Sequence, residues 1–128
     1  MLTKDQIWKA ADRKTVTVEV PEWNGSITFK TMTGLERSEW IQTAYELRDD
    51  EGKIKRFDLY SGNLIQLTAI DDKGALLFSP ADVVELNKKD GLVLDRLFVA
   101  TAQLNGILGG EVEKKSLPTT PKAPTGTA

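Results

Sequence analysis

Cysteine and histidine are both missing from the 128 residues. Without thiols there are no disulfides and no thiolate nucleophiles. Without imidazole no side chain has an ordinary pKa near neutrality, and the two absences together remove the usual ligands of transition metals. A preponderance of one charge is missing too: Lys and Arg number 17 against 19 Asp and Glu, for a formal net charge of -2. So even a balance offers no basic excess to neutralise a phosphate backbone, and it is far too small for a polyanionic mimic of nucleic acid. No apolar run approaches the length of a membrane span, and the first dozen residues mix polar and apolar types. These exclusions remove much of enzymology and favour a soluble, cytoplasmic protein, with no cofactor or metal expected.

What is present starts with alternation. From Thr15 to Val20, Val16, Val18 and Val20 share one face of an extended chain and Thr15, Thr17 and Glu19 the other. Ser26 to Met32 repeats the pattern with Ile27 and Phe29. Between them Pro21-Glu22-Trp23-Asn24-Gly25 supplies turn residues, with Asn24-Gly25 suited to positive φ, so the two runs predict a β-hairpin carrying Trp23 at its tip. A helix follows at once: Thr33 stands at the N-cap and Glu36 at the third helical position, a capping box, and Trp40, Ile41, Ala44 and Leu47 form a stripe that can lie on the hairpin.

The same capping logic at Thr3-Lys4-Asp5-Gln6 predicts a short helix ahead of the hairpin, anchored through Trp8 either on its own chain, the expected case, or on another copy in a homo-oligomer. Arg48-Asp49-Asp50-Glu51-Gly52-Lys53 and Asp71-Asp72-Lys73-Gly74 read as solvated turns. Neither offers the alternating oxygen ligands and distant bidentate Glu of a calcium loop. Phe57, Tyr60, Leu64 and Leu67 predict a helix over 55–69 despite Ser61-Gly62-Asn63, with a hairpin of 63–70 against 75–78 as the alternative. Ser79-Pro80-Ala81-Asp82 starts another helix, with Val83, Val84 and Leu86 as its buried side. A last helix carries Leu94, Leu97, Phe98, Thr101, Leu104 and Leu108 on one face and is expected to close at Gly109-Gly110. From Glu111 the chain turns to Lys, Thr, Ala and three prolines, which predicts a disordered tail. The expected architecture is α+β: one domain over 1–110, a small β-hairpin or sheet against four to five helices, and a tail over 111–128.

The run Val18-Glu19-Val20-Pro21-Glu22-Trp23-Asn24-Gly25-Ser26-Ile27-Thr28-Phe29, then Thr33-Gly34-Leu35-Glu36-Arg37-Ser38-Glu39-Trp40, resembles the tail assembly chaperones of long-tailed (siphovirus-type) bacteriophages. Asp71 to Phe78, Leu94 to Phe98 and Leu104-Asn105-Gly106 are similar to later segments of that family, so the resemblance spans most of the chain up to about Gly110. None of these motifs is catalytic. The resemblance implies a chaperone acting in the host cytoplasm and absent from the mature virion. Many copies of it would coat the tape measure protein, while a longer product of programmed frameshifting recruits the tail tube protein. Glu113-Lys114-Lys115 suits a slippery run of adenines.

No motif supplies the contact residues, so they follow from expected exposure: Trp23 at the hairpin tip first, Trp8 second, the alternative for either being that it simply packs inward, with Trp40 assigned to the core. Two other readings compete. One is a small structural tail or connector protein of the virion; the other is an enzyme holding magnesium through Asp49, Asp50 or Asp71, which the lack of any further motif disfavours.

Overall fold

The structure, a computed structural model, describes residues 1–107. Strands β1 (Thr15–Val20) and β2 (Gly25–Lys30) pair antiparallel in unbroken register from Thr15↔Lys30 to Val20↔Gly25. The alternation does what it predicts: Val20, Ile27 and Phe29 are buried, Val16 and Val18 half-buried, and the Thr17 and Thr28 hydroxyls meet at 2.8 Å on the outer face. The connection differs in detail from a two-residue turn. Pro21–Trp23 makes one 3-10 turn, Asn24 takes the left-handed conformation at φ 57, and Gly25 already belongs to the ladder.

Helix α1 (Lys4–Lys9) and helix α2 (Gly34–Glu46) each begin with the capping box foreseen, Thr3 with Gln6 and Thr33 with Glu36. α2 buries Trp40 and Ala44, whereas Ile41 of the expected stripe is about half exposed. Helix α3 (Phe57–Thr68) resolves the ambiguity at 63–78. The helix continues through Gly62 because α4 (Val83–Leu86) lies against it; a Cβ at Gly62 would stand 2.7 Å from Val83 Cγ1. The hairpin alternative survives only at its turn end, where Ile70 bridges to Leu76; β3 (Ala69–Ile70) also pairs with the free side of β2, giving the order β1-β2-β3 and an α+β fold.

Both acidic segments are turns built the same way. Asp49 Oδ1 accepts the amides of Glu51 and Lys53 with Gly52 at φ 82, and Asp71 Oδ1 accepts those of Lys73 and Ala75 with Gly74 at φ 85. At Ser79 the Asp82 carboxylate accepts from both the amide and the hydroxyl, and the helix that follows is short; Val84, assigned to its buried side, is exposed.

Helix α5 (Gly91–Leu104) is capped by Asp90, whose carboxylate accepts the amides of Leu92 and Val93. It ends earlier than the sequence reading placed it. Gly106 at φ 70 sends its amide to Gln103 and Ile107 sends its amide to Ala102, the paired bonds of a Schellman stop. The stop expected at Gly109-Gly110, Leu108 and the tail over 111–128 lie outside the described residues. The core gathers Val20, Phe29, Trp40, Tyr60, Leu64, Ile65, Val93, Leu97 and Phe98 between the sheet and α2, α3 and α5. Four rings meet there: Tyr60 lies 5.2 Å from Trp40 and 5.9 Å from Phe98, with Phe57 5.6 Å from each of Tyr60 and Phe98.

Candidate functional site

Three of the residues in the resembling motifs, Glu36, Arg37 and Asn105, come together near the end of α5. Asn105, buried, accepts the Met32 amide at 2.8 Å through Oδ1 and donates through Nδ2 to the Thr101 carbonyl at 3.0 Å and the Lys30 carbonyl at 3.3 Å. Arg37 donates to the Asn105 carbonyl, and Lys30 Nζ reaches Glu36 at 2.9 Å. Deeper in, the Thr68 and Thr101 hydroxyls meet at 2.7 Å, and Thr68 also donates to the Leu64 carbonyl. Every buried polar side chain in this group has partners, so the cluster fixes the join of β2, α2 and α5. Glu36, explained in the sequence as a cap, is also one half of a tie to the sheet. Asn105 escaped notice as a structural centre; its one signal was its place just ahead of a glycine at the end of an amphipathic helix.

Electrostatics at the cluster favour the charged forms. Burial pushes the Glu36 carboxyl up, but the Thr33 amide and the Lys30 ammonium together hold it below the ordinary value. At the hairpin tip the Arg96 guanidinium grips Glu22 with two hydrogen bonds of 2.9 and 2.7 Å, lowering its pKa to about 2. Arg56 holds Asp58 low in the same way.

The two candidate contact residues sit in different settings. Trp23 is not a free tip: the 3-10 turn folds it back, half-buried against the core, with Lys89 Nζ 5.8 Å from its ring centroid. It lines an open, mainly apolar groove with Ile27, Leu77, Phe78 and Leu86, edged by Asp82, Glu85 and Lys89. Trp8 is the reverse. It was expected to anchor on its own chain, yet it is 74% exposed, Ile7 beside it is 47% exposed, and no residue of α1 is buried within the described residues. A six-residue helix lacks the length to reach back over the sheet and hold a place there. A second open groove lies between α2 and α3, lined by Trp40, Ile41, Ala44, Tyr45, Arg48 and Tyr60. Tyr45 is largely exposed there.

Asp49 and Asp71 direct their carboxylates at the amides of their own turns, and no group of three or more residues suited to holding a metal gathers among the described residues. No helix among them is long and apolar enough to cross a membrane. What the surface does offer is apolar area in separate places: α1, the Trp23 groove, and the α2 face around Tyr45.

No protein-family model matches the sequence, and no curated protein matches it. Among solved structures, the fold is similar to that of the bacteriophage HK97 tail assembly chaperone. The TM-score is 0.56 at 23% sequence identity, and the match covers 78% of this chain and 94% of that one. The fold implied by the sequence motifs is the fold found.

Proposed function

We propose that this protein is a tail assembly chaperone of a long-tailed bacteriophage, acting in the host cytoplasm by binding the tape measure protein and keeping that long rod soluble until tail tube subunits replace it. The observation that carries the reading is the likeness in fold to the HK97 chaperone over 94% of that chain. The surface suits the task. Separate apolar areas on α1 and in the Trp23 groove give modest contacts that add up when many copies bind one rod, while each stays weak enough to be displaced. A longer frameshifted product would recruit the tail tube protein, and the nucleotide sequence around Glu113-Lys114-Lys115 tests for the slippery run.

Of the two candidate contact residues, Trp8 is the cleaner probe, because Trp23 also packs inward and its loss would remove core packing as well as surface. Co-expression with the tape measure protein of the same phage should bring that protein into the soluble fraction, and Trp8→Ala should reduce the recovered complex while leaving the circular dichroism spectrum unchanged. A rod equally insoluble with and without this protein overturns the reading. Finding the chain at fixed stoichiometry in purified particles would instead make it a structural tail or connector protein.

A further inference from the structure

β1 is the edge of the sheet, and its outer side is open. Lys14 accepts the Thr31 amide through its carbonyl, which sets the phase of the ladder: Val16, Val18 and Val20 direct their amides and carbonyls at β2, and Thr15, Thr17 and Glu19 direct theirs away from it. None of those outward main-chain groups has a partner among the described residues. Soluble proteins blunt such edges with proline, lysine or a bulge. β1 has none of these; it reads Thr-Val-Thr-Val-Glu-Val in unbroken register, with Glu19 its one charge.

We propose that this edge pairs with the same edge of a second copy, antiparallel about a twofold axis at Thr17, joining two three-stranded sheets into one. The strand is complementary to itself in that register and in no neighbouring one that uses all its outward groups. Thr17 faces Thr17 of the other copy, and Thr15 faces Glu19, so each outward amide meets an outward carbonyl. A shift of one residue would put core-facing side chains opposite solvent-facing ones. Charge agrees with the pairing. Glu19 is opposite a threonine and diagonal to Arg13, so no like charges are opposed. On the core side Val16 meets Val18, both half-buried in the single chain, and the pairing covers what remains of them. α5 packs against β1 from beneath and holds the strand in place before its partner arrives. One short strand pair buries little area, so the dimer is weak and concentration-dependent.

The absence of native cysteine makes the register directly testable. In a hydrogen-bonded antiparallel pair the facing Cα atoms lie about 5.5 Å apart, within the roughly 4.4–6.8 Å that a disulfide spans. Under mild oxidation the Thr17→Cys variant should form a covalent homodimer. Thr15→Cys and Glu19→Cys should cross-link poorly alone and efficiently when mixed. Sedimentation of the native chain should show a monomer–dimer equilibrium that Thr17→Pro abolishes; that proline removes no main-chain bond to β2, only the exposed hydroxyl contact with Thr28, so the fold should persist by circular dichroism. The proposal is overturned if the native chain stays monomeric at millimolar concentration, if Thr17→Pro dimerises like the native chain, or if the three cysteine variants cross-link alike. Strand addition by the tape measure protein alone would appear as the first of these with a Thr17→Pro defect in complex formation.

Discussion

Helices α1 and α2 start with the same device and come to opposite ends. Each has a threonine N-cap that accepts the amide of the third helical residue, and each has at that position a side chain, Gln6 or Glu36, that accepts the threonine amide in return. Yet α2 buries Trp40 to 5% exposure and α1 leaves Trp8 at 74%. Capping satisfies the orphan donors at a helix start and so decides where a helix begins; it says nothing about what the helix lies on. The difference is length and reach. α2 has 13 residues, enough to present a tryptophan and an alanine one turn apart to the core beside α3, and α1 has 6.

The largest expected effect separates the two tryptophans. Trp40→Ala removes a buried ring tilted against Tyr60 and should destabilise the fold by about 3–5 kcal/mol in chemical denaturation. Trp8→Ala should change stability by less than about 0.5 kcal/mol, as for an ordinary surface site. A large loss from Trp8→Ala would mean that α1 packs on its own chain in solution, and the comparison would collapse.

The same contrast marks how far the sequence could be read. Period-2 and capping signals are local, so the hairpin, both boxes and the two Asp-led turns were legible from neighbouring residues. Long-range facts were not. Turn residues around Trp23 point to an exposed tip, but it is half-buried against the core and shares a groove with Ile27, Leu77 and Leu86, which come from three segments. The end of α5 was read past Gly106 because Leu108 continues the stripe, although Asn105-Gly106 already carries the stop and Asn105 is held by Met32, from a segment far away in the chain. Val84 followed from apolar type alone in a helix of 4 residues, too short for periodicity to choose a face. Of the candidate contact residues, the sequence offered the tryptophans but not which of them stands free.

Removing the caps sharpens the comparison by a smaller step. Thr33→Ala should cost about 1 kcal/mol, because α2 must be formed for Trp40 to be buried and its start is coupled to global folding. Thr3→Ala removes the same kind of bond from a helix that contributes no buried residue, so global stability should stay within about 0.5 kcal/mol of the parent. Hydrogen exchange at Gln6 and Ile7 should nonetheless accelerate, showing that α1 frays alone.

The smallest effect comes from what differs between the two boxes: Gln6 does not titrate and Glu36 does. The folded pKa of Glu36 lies below its ordinary value of 4.5, so the unfolded chain binds this proton more readily than the folded one. Its contribution is therefore complete above about pH 4.5 and fades as the pH falls through the folded value. Glu36→Gln gives α2 the neutral box of α1 and removes the ion pair with Lys30. The variant should be less stable than the parent at pH 7, and the gap should close on acidification, measured as denaturant midpoints at matched ionic strength. Glu22 and Asp58, also held low by their arginine partners, titrate alike in parent and variant, so they steepen both curves without opening or closing the gap. Equal stability of variant and parent at pH 7 would locate the role of Glu36 in the hydrogen bond it accepts from the Thr33 amide, which glutamine also accepts, and would leave its charge without a part in holding α2 to the sheet.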